Sequence, residues 1–194
     1  IAVKADVSDE NEVNTLFETI DRKLGRLTAL VNNAGVLAQQ TTVENLTAER
    51  LKHIFAVNVT GSFLCARESI RRMSLKQGGA GGAIVNISSL AAKLGAPFEY
   101  VDYAASKGAI DTMTIGLAKE VATQGIRVNG IRPGLILTDI HAKGGEPGRV
   151  DRLKHSVPMQ RGGEAEEVAR AILWLLSDEA SYITGTIIDV SGGR

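Results

Sequence analysis

The chain has 194 residues, 44% of them hydrophobic and 23% charged, which is the composition of an ordinary globular domain. Lys plus Arg and Asp plus Glu balance at 22 each, so overall charge does not favour nucleic acid or an anionic membrane as a partner. The single cysteine, Cys65, excludes an internal disulfide and a cysteine-based metal cluster, and it fits a reducing, cytoplasmic location. The three histidines show no metal-ligand spacing, and no apolar run reaches the length of a membrane span.

The first residues are predicted to complete a strand and to lead into a helix. Residues 1–5 have the character of a strand end, and Ser8 is a candidate N-cap. Apolar residues at helical spacing then continue to Leu24, and Gly25 is a stop signal. The chain begins at Ile1 without an initiator Met or a signal-peptide pattern, so we expect it to be the remainder of something longer.

An apolar run of strand length covers residues 27–31 and stops at the polar stretch 32–35. Such a run suits a parallel sheet, whose strands are buried on both faces. A long helix is then predicted to start at Leu46 and Thr47, with Asn58 and Gly61 interrupting it. Taken alone, Asn58 is interpreted as a polar residue on a solvent-facing helix surface.

The middle of the chain repeats this order of strand, polar loop and helix. Residues 83–87 are a predicted strand closed by Ser88 and Ser89, and the following helix carries Tyr103. Residues 126–131 are the next predicted strand, which ends at the stretch 132–134.

The last third of the chain begins with a polar, glycine-rich segment, residues 138–153. This segment is either a lid over a neighbouring site or a mobile surface loop. A helix over residues 164–176 and a strand over residues 186–190 follow. Strands that alternate with helices predict one α/β domain with a parallel sheet covered by helices on both faces. Ligands of such sheets bind beyond the carboxyl ends of the strands, where the polar stretches of this chain fall.

Tyr103 and Lys107 form the most suggestive pair in this pattern. Residues four apart share one helix face, so the phenol and the ammonium can act on one small site. A nearby ammonium favours phenolate and lowers the pKa of a phenol, which makes a plausible general acid/base pair. A tyrosine and a lysine at this spacing also recur by chance on solvated helix faces, so the pair alone is weak evidence for a catalytic site.

The whole set of motifs resembles the short-chain dehydrogenase/reductase family, over essentially the full chain. The set, in order, consists of Asn32-Asn33-Ala34-Gly35, Asn58, Ser89, Tyr103-x-x-x-Lys107 and Pro133-Gly134. The segments 95–107 and 183–193 are most similar to the branch of glucose-dehydrogenase-like and uncharacterised oxidoreductases.

The resemblance implies a catalytic role for four residues. Tyr103 would exchange a proton with the substrate oxygen while hydride passes to or from a nicotinamide. Lys107 would lower the pKa of Tyr103 and bind the nicotinamide ribose, and Asn58 would hold a water chain that feeds protons to Lys107. Ser89 would donate to the substrate carbonyl. It lies one residue further from Tyr103 than the common family spacing, which leaves Ser88 as the alternative.

The resemblance also implies a cofactor, NAD or NADP, and a Rossmann-like doubly wound sheet that lacks its first βαβ portion. The strand matching residues 1–5 would then lie about 14 Å from the strand at residues 27–31, at roughly 4.8 Å per strand, with two others missing between them. Residues 1–194 would form a single, N-terminally incomplete domain, without the residues that choose between NAD and NADP. The residues matched to the cofactor are Asp6, Val7, Asn33, Ala34, Gly35, Tyr103, Lys107, Pro133, Gly134, Ile136 and Thr138.

Three functions remain open from the sequence. The leading one is an NAD(P)-dependent oxidoreductase that interconverts a secondary alcohol and a ketone on a small-molecule substrate. A 3-oxoacyl thioester reductase is the enzymatic alternative. Its anionic carrier could contact the basic residues Arg149, Arg152 and Lys154. The other interpretation of these three residues is a solvated basic helix face. A non-catalytic dinucleotide-binding module is the alternative of another class. The resemblance also implies a homodimer or homotetramer, with Trp174 either near a subunit contact or packed in the core.

Overall fold

The computed structural model describes residues 1–194 and contains one four-stranded parallel sheet in the order β1-β2-β3-β4. The strands are β1 (Ala29–Asn32), β2 (Gly82–Ile87), β3 (Ile126–Pro133) and β4 (Ile187–Val190). The helices are α1 (Glu10–Leu24), α2 (Ala48–Phe55), α3 (Gly61–Met73), α4 (Ala91–Leu94), α5 (Val101–Val121), α6 (Ile140–Lys143), α7 (Arg149–Leu153) and α8 (Ala165–Leu176). A π-helical turn, Ala56–Thr60, joins α2 to α3.

Apolar side chains on both faces of the sheet bury it between two layers of helices. On one face, Ile84 and Val128 pack with Met73 of α3 and Val121 of α5. On the other face, Val85 and Ile131 pack with Val168 and Leu175 of α8. The predicted α/β class with a doubly covered parallel sheet is confirmed.

The prediction of a strand over residues 1–5 is wrong. These residues pair with no strand, and Ile1 is 72% exposed. A strand needs a hydrogen-bonded neighbour, and the sheet here begins at β1. The N-cap of α1 is Asp9 rather than Ser8, because the Asp9 carboxylate accepts from the backbone N–H groups of Asn11 and Glu12. Ser8 instead donates to the Asp6 carboxylate, at 2.7 Å from its hydroxyl.

The predicted interruption of the second helix is the π-helical turn that contains Asn58. Turns of this kind insert an extra residue and recur at functional sites. Asn58 is fully buried there, so the interpretation of a solvent-facing Asn58 is wrong. Gly61 follows directly, and a Cβ at this position would lie 2.6 Å from Val7 Cγ2, which explains why the helix needs a residue without a side chain there.

Arg127 of β3 caps the C-terminal end of α8. Its guanidinium donates to the carbonyl oxygens of Leu175, Leu176 and Ser177, at 2.7, 3.3 and 3.0 Å.

Arg127→Met should therefore lower the free energy of unfolding by about 2–3 kcal/mol, because half-buried carbonyls lose charged donors. Urea unfolding measures the change. Arg170→Met is the matched control on the exposed face of α8, and an equal loss in both variants would contradict the capping role.

None of the helices combines the length and the apolar character needed to cross a membrane. The structure brings together no group of three or more His, Cys, Asp or Glu side chains that could hold a metal ion.

Candidate active site

A cavity of about 810 Å³ opens at the carboxyl ends of the strands. Loops that follow β1, β2 and β3 line it, and α5 supplies Tyr103 and Lys107. The carboxyl ends of parallel strands lie at the same edge of the sheet, so residues that are distant in sequence come together there.

The α5 helix places Tyr103 and Lys107 one turn apart on the face that looks into the cavity. Lys107 Nζ lies 5.6 Å from the centroid of the Tyr103 ring. The ammonium is buried and donates one hydrogen bond within the chain, 2.8 Å to the carbonyl oxygen of Ile87. Because an ammonium has three donors, two remain for a bound molecule.

Burial dominates the acid–base properties of this pair. The pKa of the Lys107 ammonium is lowered to about 8, mainly by burial, and the Asp111 carboxylate opposes that change. Burial also raises the pKa of the Tyr103 phenol, while a hydrogen bond with the Ser89 side chain acts in the opposite direction. Burial outweighs that hydrogen bond, so the pKa of Tyr103 is raised overall. The predicted lowering of this pKa by Lys107 stays a prediction.

The two serines after β2 have different partners. The Ser88 hydroxyl is buried and donates to the carbonyl oxygen of Lys107, at 3.1 Å, so it fixes the helix to the strand end. The Ser89 hydroxyl accepts from the backbone N–H of Ala91, at 3.1 Å, and lines the cavity near the Tyr103 phenol, whose pKa it acts to lower. This geometry favours Ser89 over Ser88 as the group that meets a substrate oxygen beside Tyr103.

Asn58 lies behind the site and anchors the loop after β1. Its Oδ1 accepts from the backbone N–H of Val36 at 2.7 Å, and its Nδ2 donates to the carbonyl oxygen of Val36 at 3.0 Å. Nδ2 also donates to the Ser106 hydroxyl of α5, at 3.0 Å. Both amide hydrogens are therefore used, and the observed role of Asn58 is to join the loop after β1 to α5. The predicted water chain to Lys107 stays a prediction.

Most of the residues matched to the cofactor border the same cavity. Asn33, Gly35, Pro133, Gly134, Ile136 and Thr138 line it together with Tyr103 and Lys107. Ala34 is exposed beside it. Asp6 and Val7 lie outside it, where the Asp6 carboxylate holds Ser8 and Val7 packs against the apolar contact of α1 with α3. The adenine contact expected for Asp6 and Val7 stays a prediction.

Gly35 leaves space in the cavity beside the Lys107 ammonium. A Cβ at Gly35 would lie 3.4 Å from Lys107 Nζ and 3.5 Å from Asn58 Oδ1. Glycine therefore keeps a space open beside the ammonium, whose two free donors match the hydroxyls of a ribose. The residues present thus fit a nicotinamide dinucleotide.

The segment 138–153 covers the cavity as two short helices, α6 and α7, that sequence reasoning treated as a loop. Arg149 lies 5.1 Å from the centroid of the Tyr100 ring and pairs with Glu99 and Glu146. Arg152 pairs with the same two carboxylates. Sequence patterns did not reveal this cluster because Glu99 lies 50 residues from Arg149 and 53 from Arg152 in the chain.

Comparison with known proteins decides the family. The family model described as Enoyl-(Acyl carrier protein) reductase matches residues 1–194. Uncharacterized oxidoreductase YgfF of Escherichia coli is 66% identical over 192 residues, which cover 99% of this chain and 78% of that protein. This chain belongs to the short-chain dehydrogenase/reductase family. The predicted class, an NAD(P)-dependent short-chain dehydrogenase/reductase, is confirmed with it.

Other short-chain dehydrogenase/reductase relatives carry names with different substrates. Glucose 1-dehydrogenase 2 of Bacillus subtilis is 39% identical over 194 residues, covering all of this chain and 74% of that protein. The crystal structure of 3-ketoacyl-(acyl-carrier-protein) reductase from Brucella melitensis complexed with NADH has a TM-score of 0.92 at 33% identity. The match covers 100% of this chain and 78% of the reductase chain. These relatives share one family, but their names indicate different substrates, glucose in one and a 3-ketoacyl group in the other.

Proposed function

We propose that this short-chain dehydrogenase/reductase interconverts a secondary alcohol and a ketone on a small substrate, with Tyr103 as the acid/base. The observation that carries the proposal is the convergence of Ser89, Tyr103 and Lys107 at one wall of the cavity. NAD or NADP, when bound, supplies or accepts the hydride.

The chain's own groups handle the substrate oxygen. Burial keeps the Tyr103 phenol protonated near neutral pH, so it is a proton donor when a ketone is reduced. The Ser89 hydroxyl donates to the same oxygen and stabilises the negative charge that develops there. Lys107 holds the ribose hydroxyls with its two free donors, and its positive charge stabilises the phenolate after proton transfer. In the oxidation direction, the Tyr103 phenolate, stabilised by the Lys107 ammonium, takes the proton from the alcohol and becomes the phenol.

Charge pairing around the cavity favours a small substrate over a carrier-bound thioester. Arg149 and Arg152 are paired with Glu99 and Glu146, and Lys154 is paired with Asp151. Each of these three cations thus already has a carboxylate partner, which weakens its attraction for an anionic carrier. A 3-oxoacyl thioester reductase remains the rival because it would use the same catalytic residues.

A panel of sugars, polyols and 3-oxoacyl thioesters, assayed with NAD(H) and NADP(H), tests these functions. Turnover on a sugar or polyol, and little on thioesters, is the expected result. Preference for thioesters would establish the rival. Calorimetric titration measures the binding of both cofactors. Cofactor binding without turnover of any member of the panel would support the non-catalytic dinucleotide-binding module and overturn the proposal.

We further propose a cytoplasmic homodimer or homotetramer. Exposed apolar side chains support association: Phe63 on α3 is 51% exposed and Ile115 on α5 is 41% exposed. Trp174 is 38% exposed on α8, which favours a subunit contact over core packing. The single cysteine, buried and unpaired, is compatible with a reducing compartment. Light scattering after gel filtration measures the oligomeric state, and a monomer at micromolar concentration would contradict it.

A further inference from the structure

Tyr103 lies in the first turn of α5, at the third residue of the helix. The N–H groups of a first turn have no partner within the helix, so this turn frays unless another group binds them. The N-cap residue, Tyr100, makes no side-chain hydrogen bond to these groups. The regular bonding of α5 begins where the Ala104 N–H donates to the Tyr100 carbonyl oxygen, at 2.9 Å. Helical hydrogen bonds therefore do not by themselves fix the N–H end of the turn that carries Tyr103.

Asp102 supplies the cap that Tyr100 does not provide. Its Oδ1 accepts from the backbone N–H of Tyr103, at 2.9 Å. An acidic side chain in the first turn is also favourable for the helix dipole. The Asp102 side chain is only 1% exposed. A carboxylate at that depth is costly unless an opposite charge pairs with it.

Arg50 of α2 is the partner of this carboxylate. Its Nε donates to Asp102 Oδ2 at 2.7 Å, and its Nη2 donates to Asp102 Oδ1 at 3.3 Å. Two such bonds from one guanidinium fix the orientation of a carboxylate as well as its charge. Arg50 Nη1 also donates to the carbonyl oxygen of Gln39, at 2.6 Å, in the loop after β1. The Arg50–Asp102 pair thus joins the first turn of α5 to α2 and to a loop that lines the cavity.

The second turn of α5, which carries Lys107, has separate anchors. The Ser88 hydroxyl donates to the carbonyl oxygen of Lys107, at 3.1 Å. Asn58 donates to the Ser106 hydroxyl, at 3.0 Å. Loss of the Arg50–Asp102 pair should therefore loosen the turn that carries Tyr103 and leave the Lys107 turn in place.

We propose that Arg50 and Asp102 are positioning residues, whose buried ion pair holds the first turn of α5 and so fixes the Tyr103 phenol at the cavity wall. The inference rests on the proposed function for its link to turnover. The motifs that mark the site include neither residue. A displacement of a reacting group by about 1 Å can cost roughly 10²-fold in rate. A frayed first turn should therefore lower turnover even though every catalytic group is still present.

Amide hydrogen exchange of the full-length protein, followed by NMR without substrate, tests the hold on the first turn. Arg50→Met and Asp102→Asn each break the pair. The double variant that combines them leaves no unpaired charge inside the protein, so it also serves where a single variant does not fold. In each variant, the ratio of the Tyr103 to the Lys107 amide exchange rate should rise by about tenfold. The ratio removes the effect of a general loss of stability, which would speed both amides.

Steady-state kinetics on a substrate from the panel tests the link to turnover. The same variants should lower kcat by about 10–100-fold and keep the affinity for the cofactor, because Lys107 stays in place. Arg72→Met on α3 is the matched control. The Arg72 side chain is 20% exposed, close to the 17% of Arg50, and it pairs with Asp21 and Glu68 outside the lining of the cavity. This control should keep both the exchange ratio and kcat.

The outcomes separate this inference from the proposed function. An unchanged exchange ratio in the folded double variant overturns the hold on the first turn. A raised ratio with unchanged kcat overturns the positioning role. An equal effect of Arg72→Met on either measurement also overturns the inference, because the effect would then follow from lost stability. If the original protein turns over no member of the panel, the proposed function fails, while the exchange ratio still decides whether the pair holds Tyr103.

Discussion

Tyr103→Phe should reduce kcat by about 10²–10⁴-fold on whichever substrate the panel identifies, with little change in the affinity for the cofactor. The substitution removes the one hydroxyl that can exchange a proton with the substrate oxygen beside Ser89 and Lys107. The aromatic ring remains, so the packing of α5 and the contact between the ring and the ammonium should persist.

Steady-state kinetics and cofactor titration of the purified full-length protein check this expectation. Tyr182→Phe is the matched control because its hydroxyl is on a fully exposed side chain, and it should keep the activity of the original protein. Undiminished turnover by a folded Tyr103→Phe protein would remove the assignment of Tyr103 as the acid/base, and with it the proposed mechanism.

Asn58→Ala should lower the free energy of unfolding by about 2–3 kcal/mol and reduce turnover as well. The substitution leaves the backbone N–H and carbonyl groups of Val36 and the hydroxyl of Ser106 without their partner. Gly35, next to Val36, keeps open the space beside Lys107, so a displaced loop should also weaken cofactor binding.

Urea unfolding and cofactor titration measure these two effects of Asn58→Ala. Asn45→Ala is the matched control, because Asn45 is exposed and only bonds to Thr42 nearby. Lower turnover with unchanged stability and unchanged cofactor affinity would contradict the anchoring role. That result would instead favour the water chain that the family resemblance implies for Asn58.

Local patterns predicted the elements that depend on neighbouring residues. The helix over residues 164–176 matches α8, where Glu164 and Glu167 form a capping box, a motif contained within four residues. Apolar runs marked the four strands because parallel strands are buried on both faces. The strand over residues 1–5 failed because pairing with a neighbour decides a strand, and sequence near Ile1 does not contain that neighbour.

The candidate site was predictable in its residue types and not in its electrostatics. Motif spacing brought Ser89, Tyr103 and Lys107 to one cavity as expected, but the sequence did not reveal that burial raises the pKa of Tyr103. The depth of burial determines that direction, and burial depends on side chains from the whole fold.

The sequence by itself determined the α/β class, the short-chain dehydrogenase/reductase family and the identity of the residues at the sheet edge, since these follow from periodicity and motif order. Only the tertiary structure decided that Asn58 is buried as a loop anchor, that the Ser88 hydroxyl is bonded to the backbone of α5, and that Arg149 and Arg152 are paired with Glu99 over the cavity. The physical reason is that hydrogen bonds, ion pairs and desolvation depend on distances between groups far apart in the chain.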